Sequence, residues 1–300
     1  MFSLTPEVEH ALENDLPIVA LESTVISHGL PFPTNLETAR GMEAVVRDAG
    51  AVPATIAVLK GGFRIGVTDE DLAFLAESKN IRKISRRDLP IARALGLDCA
   101  TTVSTTAHLA HSVGIEVFAT GGIGGVHRGY PADVSADLPE LARTPITVVC
   151  SGAKIILDLP ATREWLETNG VTVLGWRCDE MPAFYSRESG LPVDQRVESI
   201  DDVKKIVLAR DELGLPNAIL LTVPIPAEFE IERETMERAI DHALKKAVSA
   251  GIKGKETTPF LLSEISSITE GRSILANTAL LKNNARIAAE IAVSLIDDGS

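Results

Sequence analysis

The chain has 300 residues, 45% of them hydrophobic and 24% charged, the balance of a soluble globular protein of one large or two small domains. A formal net charge of −13 lacks the basic footprint of a general nucleic-acid binder, although a local cluster of cations can still hold a small anion. Aromatic residues make up only 4%, so the core must be built from Ala, Val, Ile and Leu, and no apolar run approaches the length of a membrane span. Cys99, Cys150 and Cys178 are scattered, without C-x-x-C spacing, as reduced and buried thiols of a cytosolic protein are. The N-terminus has no basic region followed by an apolar stretch, so no signal peptide is expected.

Thr5 as N-cap and Pro6 in the first turn predict a short helix to Glu13. Pro17 to Leu21 reads as a buried strand ending on Glu22-Ser23-Thr24. A carboxylate directly after an apolar strand is either a site residue or a solvated loop acid. His28-Gly29-Leu30-Pro31-Phe32-Pro33 reads as a rigid loop. Thr34 and Glu37 then form a capping-box pattern ahead of a helix that ends at Gly50. Pro53 to Leu59 predicts a strand, Lys60-Gly61-Gly62 a turn, and Phe63 to Val67 a second strand. That hairpin makes the sheet mixed rather than purely parallel. Thr68 caps an acidic helix from Asp69. Lys83, Arg86 and Arg87 then crowd three cations together, as a salt-bridged surface turn or as an anion site.

Ala100-Thr101-Thr102-Val103 leads into a helix to about Ser112; small hydroxyl residues there suit an anion or plain capping. Ile115 to Thr120 is a strong strand, followed by Gly121-Gly122-Ile123-Gly124-Gly125-Val126-His127-Arg128-Gly129. The loop is neither the dinucleotide fingerprint, because His127 stands where the third glycine belongs, nor a Walker A loop. It permits close backbone approach to a phosphate, with His127 and Arg128 completing the charge, or it is a flexible turn. If Asp133 to Asp137 is helical, the two carboxylates share a face and suit a hard cation; the alternative is capping of a helix start.

Thr147 to Leu157 opens as a β-branched run, breaks at Ser151-Gly152, and resumes as an apolar run with a helical look. Lys154 lies in the break. Held at the mouth of an α/β sheet, a desolvated lysine becomes a nucleophilic amine able to form an imine with a sugar aldehyde; otherwise it caps a helix or snorkels to solvent. Helices follow at Thr162 to Gly170 and Ile200 to Leu213, and strands at Val171 to Gly175 and Ala218 to Val223. Glu180 to Ser186 reads as extended and Ser189 to Val197 as polar loop. The remainder is helical: Glu232 to Gly251, a helix started by Lys255-Glu256-Thr257-Thr258-Pro259, and a long one from Ser273 carrying Asn277, Asn283 and Asn284. Strands alternate with helices and no linker or composition shift divides residues 1–300, so one α/β sandwich domain is expected.

Leu21-Glu22-Ser23-Thr24-Val25-Ile26-Ser27-His28-Gly29-Leu30-Pro31 resembles the opening motif of the pseudouridine-5'-phosphate glycosidases. The resemblance continues through Ser85-Arg86-Arg87-Asp88-Leu89-Pro90, Ala100-Thr101-Thr102-Val103, Thr120 to Gly129, Asp133 to Asp137, Ser151-Gly152-Ala153-Lys154, Gly254 to Leu262 and Ala276-Asn277. It implies a three-layer α/β/α sandwich around a mixed β-sheet, assembled as a cytoplasmic homotrimer. The implied reaction is reversible cleavage of pseudouridine 5'-phosphate to uracil and ribose 5-phosphate, with neither nucleic acid nor membrane as partner. The bond is carbon–carbon, and carbon is a poor leaving group, so the two-carboxylate route of ordinary glycosidases does not serve. The resemblance makes Lys154 the imine-forming nucleophile and Glu22 the proton donor and acceptor. It makes Asp133 the ligand of one Mn²⁺ per subunit, or of another divalent ion. Lys83, Val103 through its backbone, Ser135, Ala136 and Asp137 match substrate-contacting positions, and Asn277 the position facing uracil. His127 is a candidate for the phosphate from the loop's own chemistry. A lysine-imine lyase for another sugar phosphate and a non-catalytic sugar-phosphate binder are the competing readings.

Overall fold

The apolar runs become strands where a run of small and β-branched residues is buried on both faces, as parallel strands under two helical layers must be. A computed structural model describes residues 2–129, 131–252 and 257–296. The first half of the chain comprises β1 (Phe2–Leu4), α1 (Pro6–Glu13), β2 (Ile18–Glu22), α2 (Thr34–Asp48), β3 (Val52–Leu59), β4 (Gly62–Ile65), α3 (Asp69–Glu77), β5 (Arg82–Ile84), α4 (Leu89–Ala94), β6 (Cys99–Thr101), α5 (Val103–His111) and β7 (Val117–Ala119). The second half comprises α6 (Asp137–Leu141), β8 (Thr147–Cys150), α7 (Leu159–Thr168), β9 (Thr172–Trp176), β10 (Gln195–Val197), α8 (Ile200–Glu212), β11 (Ile219–Thr222), α9 (Arg233–Ser249), α10 (Thr257–Ile268) and α11 (Arg272–Ile296).

The strands form one sheet in the order β1-β4-β3-β2-β7-β8-β11-β9-β10, with β6 on β3 and β5 on β6. From β3 to β10 the neighbours run parallel, whereas β4 and β6 are antiparallel to β3, so the sheet is mixed. Helices cover it in two groups: α11 packs with α2 and α8 over β2, β7 and β8, while α5 and α6 pack together, with α5 against β2, β3 and β7. This is the α/β/α sandwich. No helix among the described residues is long and apolar enough to cross a membrane.

One irregularity positions the site. β2 stops at Glu22, opposite Ile56, and β3 continues; its next residues, Ala57 and Val58, pair instead with Ala100 and Cys99 of β6. A cluster of buried hydroxyls closes the junction. Ser23 Oγ accepts from Thr101 N at 2.9 Å, Thr101 Oγ1 donates to the Ile56 carbonyl at 2.7 Å, Thr24 Oγ1 donates to the Thr101 carbonyl at 2.7 Å, and Thr106 Oγ1 donates to Thr101 Oγ1 at 2.9 Å. The hydroxyls fix where one strand hands its edge to another, because those of Ser23, Thr24 and Thr101 satisfy backbone groups at the switch and that of Thr106 braces Thr101.

Thr5 caps α1 and Thr68 forms a capping box with Asp71 on α3. The box expected from Thr34 and Glu37 does not form. The loop carbonyls of Pro31 and Pro33 accept from Asn35 N and Glu37 N, and Asn35 Oδ1 accepts from Leu36 N at 2.8 Å, so these first-turn donors are met without the Thr34 or Glu37 side chain. Asn35 Nδ2 instead fastens the loop to the carbonyls of Ile26 and Ala76, and His28 sits in a π-helical turn, Val25–Gly29. The helix expected after Gly152 is also absent: residues 151–158 turn, and α7 starts at Leu159 behind the N-cap Asp158. Tertiary pairing wins over periodicity there, since Ile123 N donates to the Gly152 carbonyl and Lys154 N to the Ile123 carbonyl, each at 3.1 Å. The polar stretch ending at Val197 holds edge strand β10. The expected helix start at Lys255-Glu256, with Gly254 of the same motif, lies outside the described residues. All three cysteines are free; burial pushes the thiols of Cys99 and Cys178 up to about 11 and that of Cys150 up to about 12, so none is a ready nucleophile.

Thr101→Val orphans the buried Ile56 carbonyl and the Thr106 hydroxyl. We expect a loss of about 1–3 kcal/mol, read as a lower urea midpoint at unchanged m-value.

Candidate active site

Strand β2 is followed in the sheet by β3 on one side and β7 on the other, and open α/β sheets bind ligands in the crevice at such a reversal, outside the carboxyl ends of the strands. A cleft of about 620 Å³, counting the part open to solvent, lies there. Glu22 enters it from the end of β2, Lys83 from β5, Gly121 and Gly122 from the end of β7, Lys154 from the turn after β8, and Asn277 from α11. Phe184 and Tyr185, packed edge-to-face at 4.7 Å, form an apolar wall.

Glu22 is 6% exposed. Desolvation raises its carboxyl above the usual range; the charges of Lys154 and Lys83 and a short hydrogen bond from the Thr120 hydroxyl oppose that rise without cancelling it. Thr120 is itself held by Asn284 of α11, whose Nδ2 donates to the Thr120 carbonyl at 2.9 Å and to Ser151 Oγ at 3.1 Å. One buried amide thus ties together the ends of β7 and β8, from which the glycine loop and the lysine turn depart. Of the three asparagines singled out on the last helix, Asn284 is structural, Asn283 accepts from Arg286 at 3.3 Å, and Asn277 alone reaches the cleft. Its Oδ1 is buried with no partner among the described residues.

Two glycines are fixed by close approach. Gly152 has φ +77°, and a Cβ there would lie 2.0 Å from the Pro182 carbonyl oxygen. At Gly124 a Cβ would lie 2.2 Å from Ser135 Oγ. Ser135, Ala136 and Asp137 are laced against the glycine loop from behind. Ser135 N donates to the Gly125 carbonyl at 3.0 Å, Ala136 caps α6, and the Asp137 carboxylate accepts from Ser104 N and Gly124 N, both at 2.9 Å. Those two bonds join the start of α5, whose first residue is Val103, to the loop. Asp133 and Asp137 do not share a helix face, because α6 begins only at Asp137 and both Asp137 oxygens are engaged by backbone N–H groups.

Among the described residues, then, Glu22, Lys83, Lys154 and Asn277 meet in one cleft, while Val103, His127, Asp133, Ser135, Ala136 and Asp137 lie outside its wall. His127 N donates to the Asp133 carbonyl at 2.9 Å. The guanidinium of Arg128 donates to the carbonyls of Ile155 and Leu157, each at 3.0 Å, and braces the lysine turn. The basic cluster divides as well: Lys83 faces the cleft, and Arg86 pairs with buried Glu140 at 3.0 Å. Asp133 is exposed, and among the described residues no three His, Cys, Asp or Glu side chains converge on a metal position. A hard divalent ion keeps several waters and needs only one or two carboxylates beside substrate oxygens, so Asp133 fits an ion held mainly by water and phosphate. Sequence reasoning missed His28, Thr120 and Tyr185; the first lies only six residues past Glu22, in a stretch read as a loop.

A family model described as indigoidine synthase A like protein matches residues 7–294. The pseudouridine-5'-phosphate glycosidase of Caldanaerobacter subterraneus subsp. tengcongensis is 55% identical over 294 residues, 97% of this chain and 96% of the relative. That of Symbiobacterium thermophilum is 51% identical, over 98% of both chains. Among solved structures, an indigoidine synthase A-like protein from Thermotoga maritima matches with TM-score 0.90 at 39% identity, over 99% of this chain and 97% of that one. The prealnumycin C-glycosynthase AlnA, in complex with ribulose 5-phosphate, matches with TM-score 0.92 at 38% identity, over 100% of this chain and 98% of that one. The chain belongs to the indigoidine synthase A-like family. Within it, the chain is an enzyme of the pseudouridine-5'-phosphate glycosidase kind.

Gly152→Ala forces the lysine turn away from Pro182. The expected outcome is about 1–3 kcal/mol of destabilisation in thermal melts, with a larger proportional fall in turnover because Lys154 moves with the turn.

Proposed function

We propose that the enzyme reversibly cleaves the C–C glycosidic bond of pseudouridine 5'-phosphate to uracil and ribose 5-phosphate, through a lysine imine with the ring-opened sugar. The observation that carries the reading is the meeting of Lys154 and Glu22, from the ends of different strands, in one cleft. The names of the relatives and the sugar phosphate held by the AlnA structure support it.

In this mechanism Lys154 Nζ bonds to C1' as the C1'–O4' bond breaks and O4' takes a proton from Glu22. The new ammonium returns a proton to Glu22, which delivers it to uracil C5. The C1'–C5 bond then breaks: its electron pair restores the uracil ring, and the nitrogen lone pair forms the C=N bond. One water hydrolyses the iminium, leaving free lysine and ribose 5-phosphate. The raised carboxyl of Glu22 suits the role, because it holds a proton at a higher pH than a free glutamate. Lys83 supplies positive charge to the same cleft, and the apolar wall of Phe184 and Tyr185 excludes water from the imine until the base has left.

The remaining assignments come with the family resemblance. Val103 through its backbone, Ser135, Ala136 and Asp137 contact the substrate and Asn277 takes the uracil, while His127 is assigned to the phosphate by the chemistry of the glycine loop and not by the resemblance. A manganese ion at Asp133, one per subunit, would supply positive charge for the phosphate. The protein is read as a single domain, cytoplasmic and homotrimeric; the continuous sheet supports the first and the free thiols the second.

Borohydride reduction with ribose 5-phosphate should add the sugar phosphate to the intact mass of wild type and not of Lys154→Ala; an active wild type that traps nothing refutes the imine. Glu22→Gln should lower kcat about 10²–10⁴-fold. Acid catalysis by Glu22 is present below its raised pKa and fades as pH rises through it, so that limb of the pH–rate profile should lie above the ordinary carboxylate range and vanish in Glu22→Gln.

Chelator-treated enzyme should regain activity with Mn²⁺, and Asp133→Asn should need a higher Mn²⁺ concentration for half-recovery; equal requirements would remove Asp133 from the metal site. Light scattering on the same samples reads the trimer directly.

A further inference from the structure

Two polar atoms on the cleft wall are buried without partners among the described residues: Nε2 of His28 and Oδ1 of Asn277. Buried polar groups are almost always hydrogen-bonded, so an orphan pair on two residues that line one cavity marks a place where a ligand can complete the bonding. Both residues also border an adjoining chamber lined by Ser27, Ser266 and Ser273, and so lie on the wall common to the two spaces. Glu22 and His28 come from one short piece of chain, the strand end and the π-helical turn after it.

The chemistry of the two atoms is defined. The His28 ring also interacts with the backbone of Ile81. Burial and the neighbouring Lys83 charge hold the ring below its usual pKa, in the neutral form. A neutral imidazole that carries its proton on Nδ1 presents a lone pair at Nε2. The amide oxygen of Asn277 is likewise an acceptor. The wall therefore offers two acceptors and calls for a ligand with two donors.

We propose that His28 Nε2 and Asn277 Oδ1 each accept one of the two ring N–H groups of the base, and that His28 is thereby a specificity residue separating C-linked from N-linked pyrimidine nucleotides. The proposal rests on the functional reading above. A pyrimidine-2,4-dione joined to ribose through C5 keeps both N1–H and N3–H. The same ring joined through N1 keeps only N3–H and leaves one buried acceptor empty. A site built to bond a donor rejects the analogue that lacks it far more strongly than an apolar pocket rejects a change of shape.

The test runs the reaction in reverse, with ribose 5-phosphate and uracil, 1-methyluracil or 3-methyluracil, because N-methylation leaves C5 free to form the bond. C-glycoside formation is followed by chromatography, as kcat/KM. Wild type should use each methyluracil at least about tenfold less well than uracil. In His28→Ala the rate with uracil should fall, and the preference over one of the two methyluracils should collapse to within about threefold while the other persists. His28→Phe, which keeps the ring bulk without an acceptor, should behave likewise, and His28→Gln, which supplies an amide oxygen, should keep part of the preference. The borohydride adduct with ribose 5-phosphate, measured without base, reports whether each variant still holds the sugar end. A wild type indifferent to methylation, or alanine and phenylalanine variants that keep both preferences, overturns the proposal. A wild type that makes no C-glycoside even from uracil overturns the functional reading itself.

Discussion

Glu22 ends a buried strand with its carboxyl out of water, and a carboxyl so placed must either keep its proton or be compensated by charge and hydrogen bonds. Here both tendencies operate. Desolvation favours the acid, while Lys154, Lys83 and the Thr120 hydroxyl favour the carboxylate. In the proposed reaction a carboxyl under these opposed influences gives a proton and takes it back. Much of the surrounding structure serves this balance: the junction of β2 with β6 places the carboxyl, Asn284 places Thr120, and the turn after Gly152 places Lys154.

These supports are made of small parts. Ser23, Thr24 and Thr101 satisfy the backbone where β3 changes partner, and Thr106 braces the Thr101 hydroxyl. Gly152 and Gly124 let backbone and side chains approach more closely than any Cβ permits. Asp137, with two backbone N–H donors on its carboxylate, locks the glycine loop to the start of α5. The cleft gains its precision from groups committed to backbone hydrogen bonds and close packing, and a rigid frame of this kind can hold reacting groups in line without reorganisation.

Several residues carried two readings that their neighbours could not separate. Arg86 and Lys83 stand three apart in one basic cluster, yet one pairs with a buried glutamate and the other faces the cleft. Asn277, Asn283 and Asn284 share one helix, and only rotation about its axis assigns them to cleft, surface and strand-end clamp. The apolar run after Gly152 has helical periodicity, but its backbone bonds to the glycine loop instead. In each case the deciding partner is far away in the chain.

What the sequence by itself determined is the set of elements with local causes: the buried strands of β-branched residues, the caps at Thr5 and Thr68, the hairpin at Lys60-Gly61, the α/β class, and the ordered motifs that carry the family resemblance. These follow from side-chain period and backbone preference, which act over a few residues. What only the tertiary structure decided is which groups share a space. That Glu22, Lys83, Lys154 and Asn277 meet, that both Asp137 oxygens are committed to the backbone, and that His28 lines the same cleft, all depend on pairings between distant segments. Burial and hydrogen-bond satisfaction are properties of the packed chain, and no window of sequence contains both partners.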